Sequence, residues 1–123
     1  MNVKFLSDQE VEDKIHNFLK EHQYNFETAV KVEKRLKPVD FAVKTSDRYT
    51  AVMLFLWKRS LPYDKVYYVE EYMKKFGFDK IIIVCRQISP RAKEIIKNND
   101  LPIDIVFESD FRTMKESPLI GKL

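Results

Sequence analysis

Apolar residues at Val11, Ile15, Phe18 and Leu19 recur at the spacing of one helix face. Ser7 precedes them and Glu10 follows it three residues later, the signature of a capping box. Leu6 and Val11 stand where a hydrophobic staple would place them. The spacing predicts a helix ending near His22. The period then falls to two: Phe26, Thr28, Val30 and Val32 read as a strand. After Pro38 the alternation resumes at Val39, Phe41 and Val43, with Asp40, Ala42 and Lys44 expected on the opposite face. Thr45–Arg48 is polar and reads as a turn. Ala51–Lys58 follows as a third strand, with Val52, Leu54 and Leu56 on one face and Met53, Phe55 and Trp57 on the other. A strand apolar on both faces belongs in the middle of a sheet covered by helices.

Pro62 suits the first turn of a second helix, which carries Val66, Val69, Met73 and Phe76 and stops at Gly77. Lys80–Cys85 is another strand apolar on both sides. Ser89 and Pro90 open a short helix through Ala92, Ile95 and Ile96 to Asn98 and Asn99. Pro102–Phe107 reads as a last strand, and Asp110–Lys115 as a further helical turn or two. The order α-β-β-β-α-β-α-β sets an antiparallel hairpin ahead of parallel crossovers. The expected fold class is α/β, in three layers, with a mixed central sheet and helices on both faces. Residues 1–116 are expected to form a single domain, with neither repeats nor linkers, and 117–123 a flexible tail.

Composition narrows the chemistry. The 123 residues are 45% apolar and 13% aromatic, enough for one folded core. Only two glycines occur, Gly77 and Gly121, so there is no Gly-rich phosphate cradle or dinucleotide fingerprint. The single cysteine, Cys85, excludes an internal disulfide framework and any cysteine-based zinc cluster, and reads as a core thiol. His16 and His22 are too isolated to build a metal site by themselves. No apolar run reaches the roughly 18 residues needed to cross a bilayer. The opening MNVKFLSDQE lacks the apolar segment of a signal peptide, so a cytoplasmic location is expected. The 22 basic residues nearly balance 19 acidic ones, and any nucleic-acid footprint must be local.

One such cluster stands out. Lys31, Lys34, Arg35 and Lys37 face only Glu33 in the seven residues before Pro38, and Lys58 and Arg59 close the third strand near the same sheet edge. Phosphate-backbone contacts need such an excess. Solvated lysines guarding an exposed strand edge would look the same. Asp40 and Lys58, on neighbouring strands, are a carboxylate and an ammonium of the kind that could hold a divalent metal and steady a phosphate. The alternative is a rim salt bridge between Asp40 and a lysine. Tyr63, Tyr67, Tyr68 and Tyr72 gather on the second helix, where stacking on bases, a dimer surface and ordinary packing all fit.

The order of elements, with VDFAV, then LWKR, then FDKIIIVCRQISPRAKEIIKNNDLPIDIV, resembles the Mrr-like branch of the restriction-endonuclease-like, PD-(D/E)xK, nucleases, which includes the archaeal Holliday-junction resolvases. The resemblance covers about residues 8–111. It implies a Mg²⁺ site built from a Glu on the first helix, an Asp on the second strand, and an acid or Gln followed two residues later by a Lys on the third. Asp40 matches the Asp, Lys58 with Arg59 the Lys-Arg pair, and Glu12 the helical Glu; Ser89–Ile96 resembles the segment in which a serine opens the last core helix. Leu56 stands where the strand acid or Gln belongs, and a leucine cannot ligate a metal.

Two explanations stay open. Catalysis is lost and the fold keeps a binding role, or the missing acid has moved to the next helix, where Glu70 is the candidate beside the apolar stripe. If hydrolysis survives, Asp40, Glu12 and Glu70 would hold Mg²⁺ and Lys58 would stabilise the phosphorane charge. The expected function is a nuclease-fold DNA-binding protein, acting as a dimer, with a degenerate or altered metal-dependent phosphodiesterase site. Its DNA contacts would be Lys31, Lys34, Arg35, Lys37, Lys58 and Arg59. The alternative is a non-catalytic interaction module that binds a protein or nucleic-acid partner.

Overall fold

Residues 4–123 are described by the computed structural model, and the first three residues of the N-terminal stretch lie outside it. In chain order the elements are α1 (Asp8–Glu21), β1 (Asn25–Val30), β2 (Val39–Lys44), β3 (Tyr49–Phe55), α2 (Tyr63–Phe76), β4 (Lys80–Cys85), α3 (Pro90–Asn98), β5 (Ile103–Phe107) and α4 (Glu108–Thr113). The five strands form one sheet in the order β1-β2-β3-β4-β5. β1, β2 and β3 pair antiparallel, whereas β3, β4 and β5 pair parallel.

Local chemistry sets the helix boundaries. Ser7 Oγ accepts the Glu10 N–H at 3.1 Å while the Glu10 carboxylate accepts the Ser7 N–H at 3.1 Å, so the capping box starts α1 where the pattern requires. Ser89 Oγ likewise accepts the Ala92 N–H, with Pro90 at the first helical position of α3. Gly77 ends α2 at φ 74°, a left-handed conformation that costs glycine little.

Side-chain parity divides the interior in two. Met53, Phe55, Ile81, Ile83 and Cys85 pack with Val66, Val69 and Tyr72 of α2 and Ala92 of α3. Val52, Leu54, Ile82, Val84 and Val106 pack with Val11, Ile15, Phe18 and Leu19 of α1 and Phe111 of α4. Residues 81–85 of β4 are buried on both faces, as the KIIIVC run requires of a strand flanked by parallel neighbours. Among the described residues no helix is long and apolar enough to cross a membrane.

Three features depart from the pattern. β3 ends at Phe55 rather than Lys58, and the chain bends through Lys58 and Arg59 before Leu61 bridges to Ile88. Val39 and Phe41, expected on one face, lie in opposite cores. Residues 117–123, expected as a tail, fold back onto the protein: Leu119 is fully buried under α1 and α4. The Arg48 guanidinium donates to the carbonyls of Lys122 and Leu123 at 3.2 and 3.0 Å, and Lys80 Nζ donates to the Lys122 carbonyl at 2.6 Å. A lone leucine in a short segment has no period to announce it, and it joins the core that Phe111 and the α1 stripe share.

Candidate functional site

Asp40 sits where the sheet comes apart. On one side its register partner would be Ala29, but Ala29 adopts φ 49°, and the ladder passes from Thr28↔Phe41 to Val30↔Val39 without pairing it. A left-handed backbone at a residue with a Cβ is strained by about 1–2 kcal/mol. On the other side the β2–β3 pairing stops at Phe41↔Val52. The kink turns Val39 and Phe41 to opposite faces and frees the Asp40 carboxylate from the regular alternation. Asp40 Oδ2 then accepts the Leu54 N–H at 2.8 Å, taking the place of a ladder bond as β2 and β3 part.

The same oxygen accepts from Lys37 Nζ at 3.1 Å. That ammonium also donates to the Leu54 carbonyl and stands 4.3 Å from the centre of the Phe55 ring. The Lys37 backbone is held as tightly as its head. Its N–H donates to the Tyr68 hydroxyl at 3.0 Å, and its carbonyl accepts from the Tyr72 hydroxyl at 2.6 Å. The two hydroxyls lie 3.0 Å apart, which closes a ring of hydrogen bonds. Tyr72 is fully buried, and burial, followed by the neighbouring Tyr68 hydroxyl, raises its phenol above the ordinary value, so it stays a proton donor.

Around this pair opens a cleft of about 380 Å³. α1 contributes Asp8 and Glu12, the approach to β2 contributes Lys37 and Asp40, the end of β3 contributes Leu54–Trp57, and α2 contributes Lys65 and Tyr68. A smaller cleft of about 270 Å³ lies beside it, and Glu12 and Asp40 line both. Burial raises the Glu12 carboxyl above its usual range, and Asp40, Asp8 and Asp13 push the same way, while Lys37 opposes them only in part. Three carboxylates against two ammonium groups leave the cleft lining with a net negative charge. A larger cleft of about 490 Å³ lies between α1 and residues 114–120. Its charged side chains are all exposed, whereas Glu12, Lys37, Asp40 and Lys65 of the smaller cleft are half-buried, so the cleft at Asp40 is the better chemical candidate.

Of the residues singled out from sequence, Asp40, Glu12 and Lys37 come together. Lys58 does not join them: beyond the end of β3 its side chain is exposed and lines neither cleft. The ammonium beside Asp40 is that of Lys37, three residues earlier, as in the salt-bridge alternative. Glu70 does not join them either. It pairs with Lys74 at 2.9 Å along α2 and lines neither cleft. The side chains that β3 sends into the cleft from its α1 face are Leu54 and Leu56, both apolar.

Lys31, Lys34 and Arg35 are exposed on the β1–β2 connection, and Lys58 and Arg59 are exposed beyond β3. Among the described residues none of the five forms an ion pair. Arg59 and Lys65 stand 5.0 and 5.6 Å from the Trp57 ring at the cleft mouth, and Lys65 is 4.7 Å from that of Tyr68. Asp8 was missed in the sequence although it lies four residues before Glu12, on the same helix face; Lys65 was missed although it lies three before Tyr68. The Tyr68–Tyr72 pair was visible, but its use as a backbone clamp was not. Cys85 is buried with its thiol pushed up to about 11 by burial, as an unreactive core cysteine.

The donors present do not fit a Mg²⁺ centre. Among the described residues no three His, Cys, Asp or Glu side chains come together so as to hold a metal ion. Mg²⁺ demands near-octahedral oxygen at about 2.0–2.1 Å. Here Asp40 Oδ2 is already engaged by an ammonium and an amide, and Leu54 and Leu56 supply no side-chain oxygen.

No family model matches the chain, and no curated protein matches it. Among solved structures, a protein of unknown function, AF1548, superposes with a TM-score of 0.63 at 14% identity, covering 92% of this chain and 63% of that chain. A repair endonuclease from Pyrococcus abyssi superposes at 0.53 with 14% identity, covering 87% of this chain and 50% of its own. MspJI restriction endonuclease in complex with a 27-mer oligonucleotide reaches 0.49 at 12% identity, over 80% of this chain and 24% of that chain, too distant to carry an argument. This chain spans less than two thirds of the length of each. The likeness establishes the fold: an α/β domain with a five-stranded mixed sheet, shared with the repair endonuclease.

Proposed function

We propose that this chain is a nuclease-fold DNA-binding domain of the PD-(D/E)xK type, which grips phosphates at the rim of the Asp40 cleft and does not hydrolyse them. The single observation that carries the loss of hydrolysis is the engagement of the Asp40 carboxylate by Lys37 and the Leu54 amide, with Leu54 and Leu56 as the neighbouring side chains. A metal-activated water needs carboxylate oxygens free to ligate, and this arrangement supplies too few. Binding is supported by cations that are exposed and, among the described residues, unpaired, Lys31, Lys34 and Arg35 on the β1–β2 connection and Lys58 and Arg59 beyond β3, and by Trp57 of the cleft lining, flanked by Arg59 and Lys65. The negative lining repels a phosphate that the exposed cations attract, so the backbone would lie across the cleft rather than enter it.

Fluorescence anisotropy on duplex DNA across a salt series tests binding, and incubation of supercoiled, linear and branched DNA with Mg²⁺ or Mn²⁺ tests hydrolysis. We expect affinity to fall steeply with salt, by about 0.9 in log–log slope per phosphate contacted, to be unchanged by EDTA, and no DNA to be cut. Salt-independent affinity would defeat the DNA assignment. Metal-dependent cutting that Asp40→Asn abolishes would restore the enzyme.

A second reading, a protein-binding module, is favoured by one surface. Tyr63 and Tyr67 of α2 are about half exposed, and Arg91 of α3 stands 5.2 Å from the Tyr63 ring. Tyrosine and arginine together suit a protein interface, and a second copy of the chain is one partner that would use it.

A further inference from the structure

We propose that the Lys37 ammonium is the permanent cation of the Glu12–Asp40 cleft, held in a cage that the fold builds for it, so that the cleft takes up no divalent metal. The inference deepens the non-hydrolytic assignment above and is independent of whether DNA is the ligand.

The cage is made of unrelated parts of the chain. An acidic oxygen from β2, a main-chain carbonyl from β3 and the face of the Phe55 ring surround one nitrogen. An anionic oxygen, a neutral oxygen dipole and a π face are the three kinds of group that stabilise a cation. A casual surface pair has none of the supporting structure seen here. Both main-chain polar groups of Lys37 are tied to hydroxyls of α2, and Pro38 restricts the backbone immediately after it. The side chain therefore starts from a fixed point, so the backbone share of the ordering entropy is already met by the fold before the ammonium docks. By contrast, Lys74 and Lys75 reach their partners, Glu70 and Glu71, along one helix and are more than half exposed, against 32% for Lys37.

Electrostatics gives the cage its purpose. Glu12, Asp8 and Asp40 line one cleft, and burial with mutual repulsion already holds the Glu12 carboxyl above its ordinary range. Without a cation the repulsion would grow. A lysine supplies that cation inside the same chain, at no dependence on metal concentration, and its bulk and charge exclude a second cation from the same oxygens.

The test needs no nucleic acid. Bound Mn²⁺ is counted by electron paramagnetic resonance, and thermal midpoints are measured with and without millimolar Mn²⁺, on wild type, Lys37→Met and Lys37→Met/Asp40→Asn. Wild type is expected to bind no Mn²⁺ and to keep its midpoint. Lys37→Met is expected to melt lower, to gain Mn²⁺ uptake that wild type lacks, through the freed Asp40 carboxylate and Glu12 with water in the remaining positions, and to recover several degrees when Mn²⁺ is about 100-fold above its dissociation constant. The double variant is expected to bind none. Mn²⁺ uptake by wild type that Asp40→Asn removes would overturn the proposal, because the ammonium would then yield to a metal. A folded Lys37→Met that takes up no Mn²⁺ would overturn it equally. Should Lys37→Met not fold, Lys37→Gln, which keeps a donor for the Leu54 carbonyl but loses the charge, decides by the same two readouts. Salt-dependent DNA binding by wild type, measured separately, shows whether the DNA assignment stands or falls on its own.

Discussion

At Lys37 two kinds of interaction with different worth meet. An exposed ion pair contributes about 0–1 kcal/mol, whereas a buried polar group stripped of its partner costs about 1–3 kcal/mol. Tyr72→Phe leaves the Lys37 carbonyl without its donor, and the loss expected in chemical denaturation is about 1–2 kcal/mol. Lys74→Ala breaks only the helix-surface pair with Glu70 and should cost less than about 1 kcal/mol. Equal losses in the two variants would refute the clamp. Glu12 allows a pH test with a definite sign. Its carboxyl titrates higher in the folded protein than in the unfolded chain, so its contribution is fully present below the unfolded value and is lost as pH rises through the folded one. Glu12→Gln should therefore melt above wild type at pH 7, and the gap should close below about pH 4, where both forms are neutral. A gap that persists in acid would point to packing instead.

Among the elements, the C-terminal segment is the clearest case of structure without local signal. Leu119 has no exposed surface and packs beneath α1 and α4, so Leu119→Ala is expected to destabilise by about 2–4 kcal/mol. A loose tail would tolerate the change within about 0.5 kcal/mol, and thermal or urea unfolding distinguishes the two. The start of α1 behaves differently, because its cap is local. Ser7→Ala should cost about 1 kcal/mol whether or not the rest of the molecule is well packed. The α1 entry is also tied to α4 at long range. Glu108, almost fully buried, accepts from Arg112 Nε at 2.6 Å and from the Leu6 N–H at 3.2 Å.

Over the whole molecule, the near balance of charge hides a division. The lining of the Asp40 cleft carries more carboxylates than ammonium groups, while Lys31, Lys34 and Arg35 on the β1–β2 connection and Lys58 and Arg59 beyond β3 are exposed cations outside it. Each cation that meets a phosphate adds about 0.9 to the salt slope of DNA binding. Replacing Lys31, Lys34 and Arg35 by alanine should lower the slope by about 2–3 and leave the thermal midpoint nearly unchanged, since exposed side chains away from structural features contribute little to stability. Anisotropy across a salt series and a melting curve check both halves. An unchanged slope would remove these three cations from the DNA surface.

Much of the fold was written in the hydrophobic pattern, because the pattern is a local consequence of which faces are covered. The α1 stripe and its capping box, the doubly apolar β3 and β4, and the Ser89–Pro90 start of α3 all depend on residues within a few positions of one another. Asp40 could be named from the alternation of its strand, and Glu12 only through the family resemblance, which asks for a Glu on the first helix. The choice of lysine could not. Lys37 and Lys58 are equally basic in sequence, and what separates them is a kink at Ala29, an early end to β3, and two tyrosine hydroxyls arriving from α2 more than thirty residues away. The burial of Leu119 likewise depended on a core assembled from distant elements. Periodicity reports which way a side chain faces. Which charge finds which partner is decided only when distant segments are packed together, since Coulomb and hydrogen-bond energies depend on separations in space rather than along the chain.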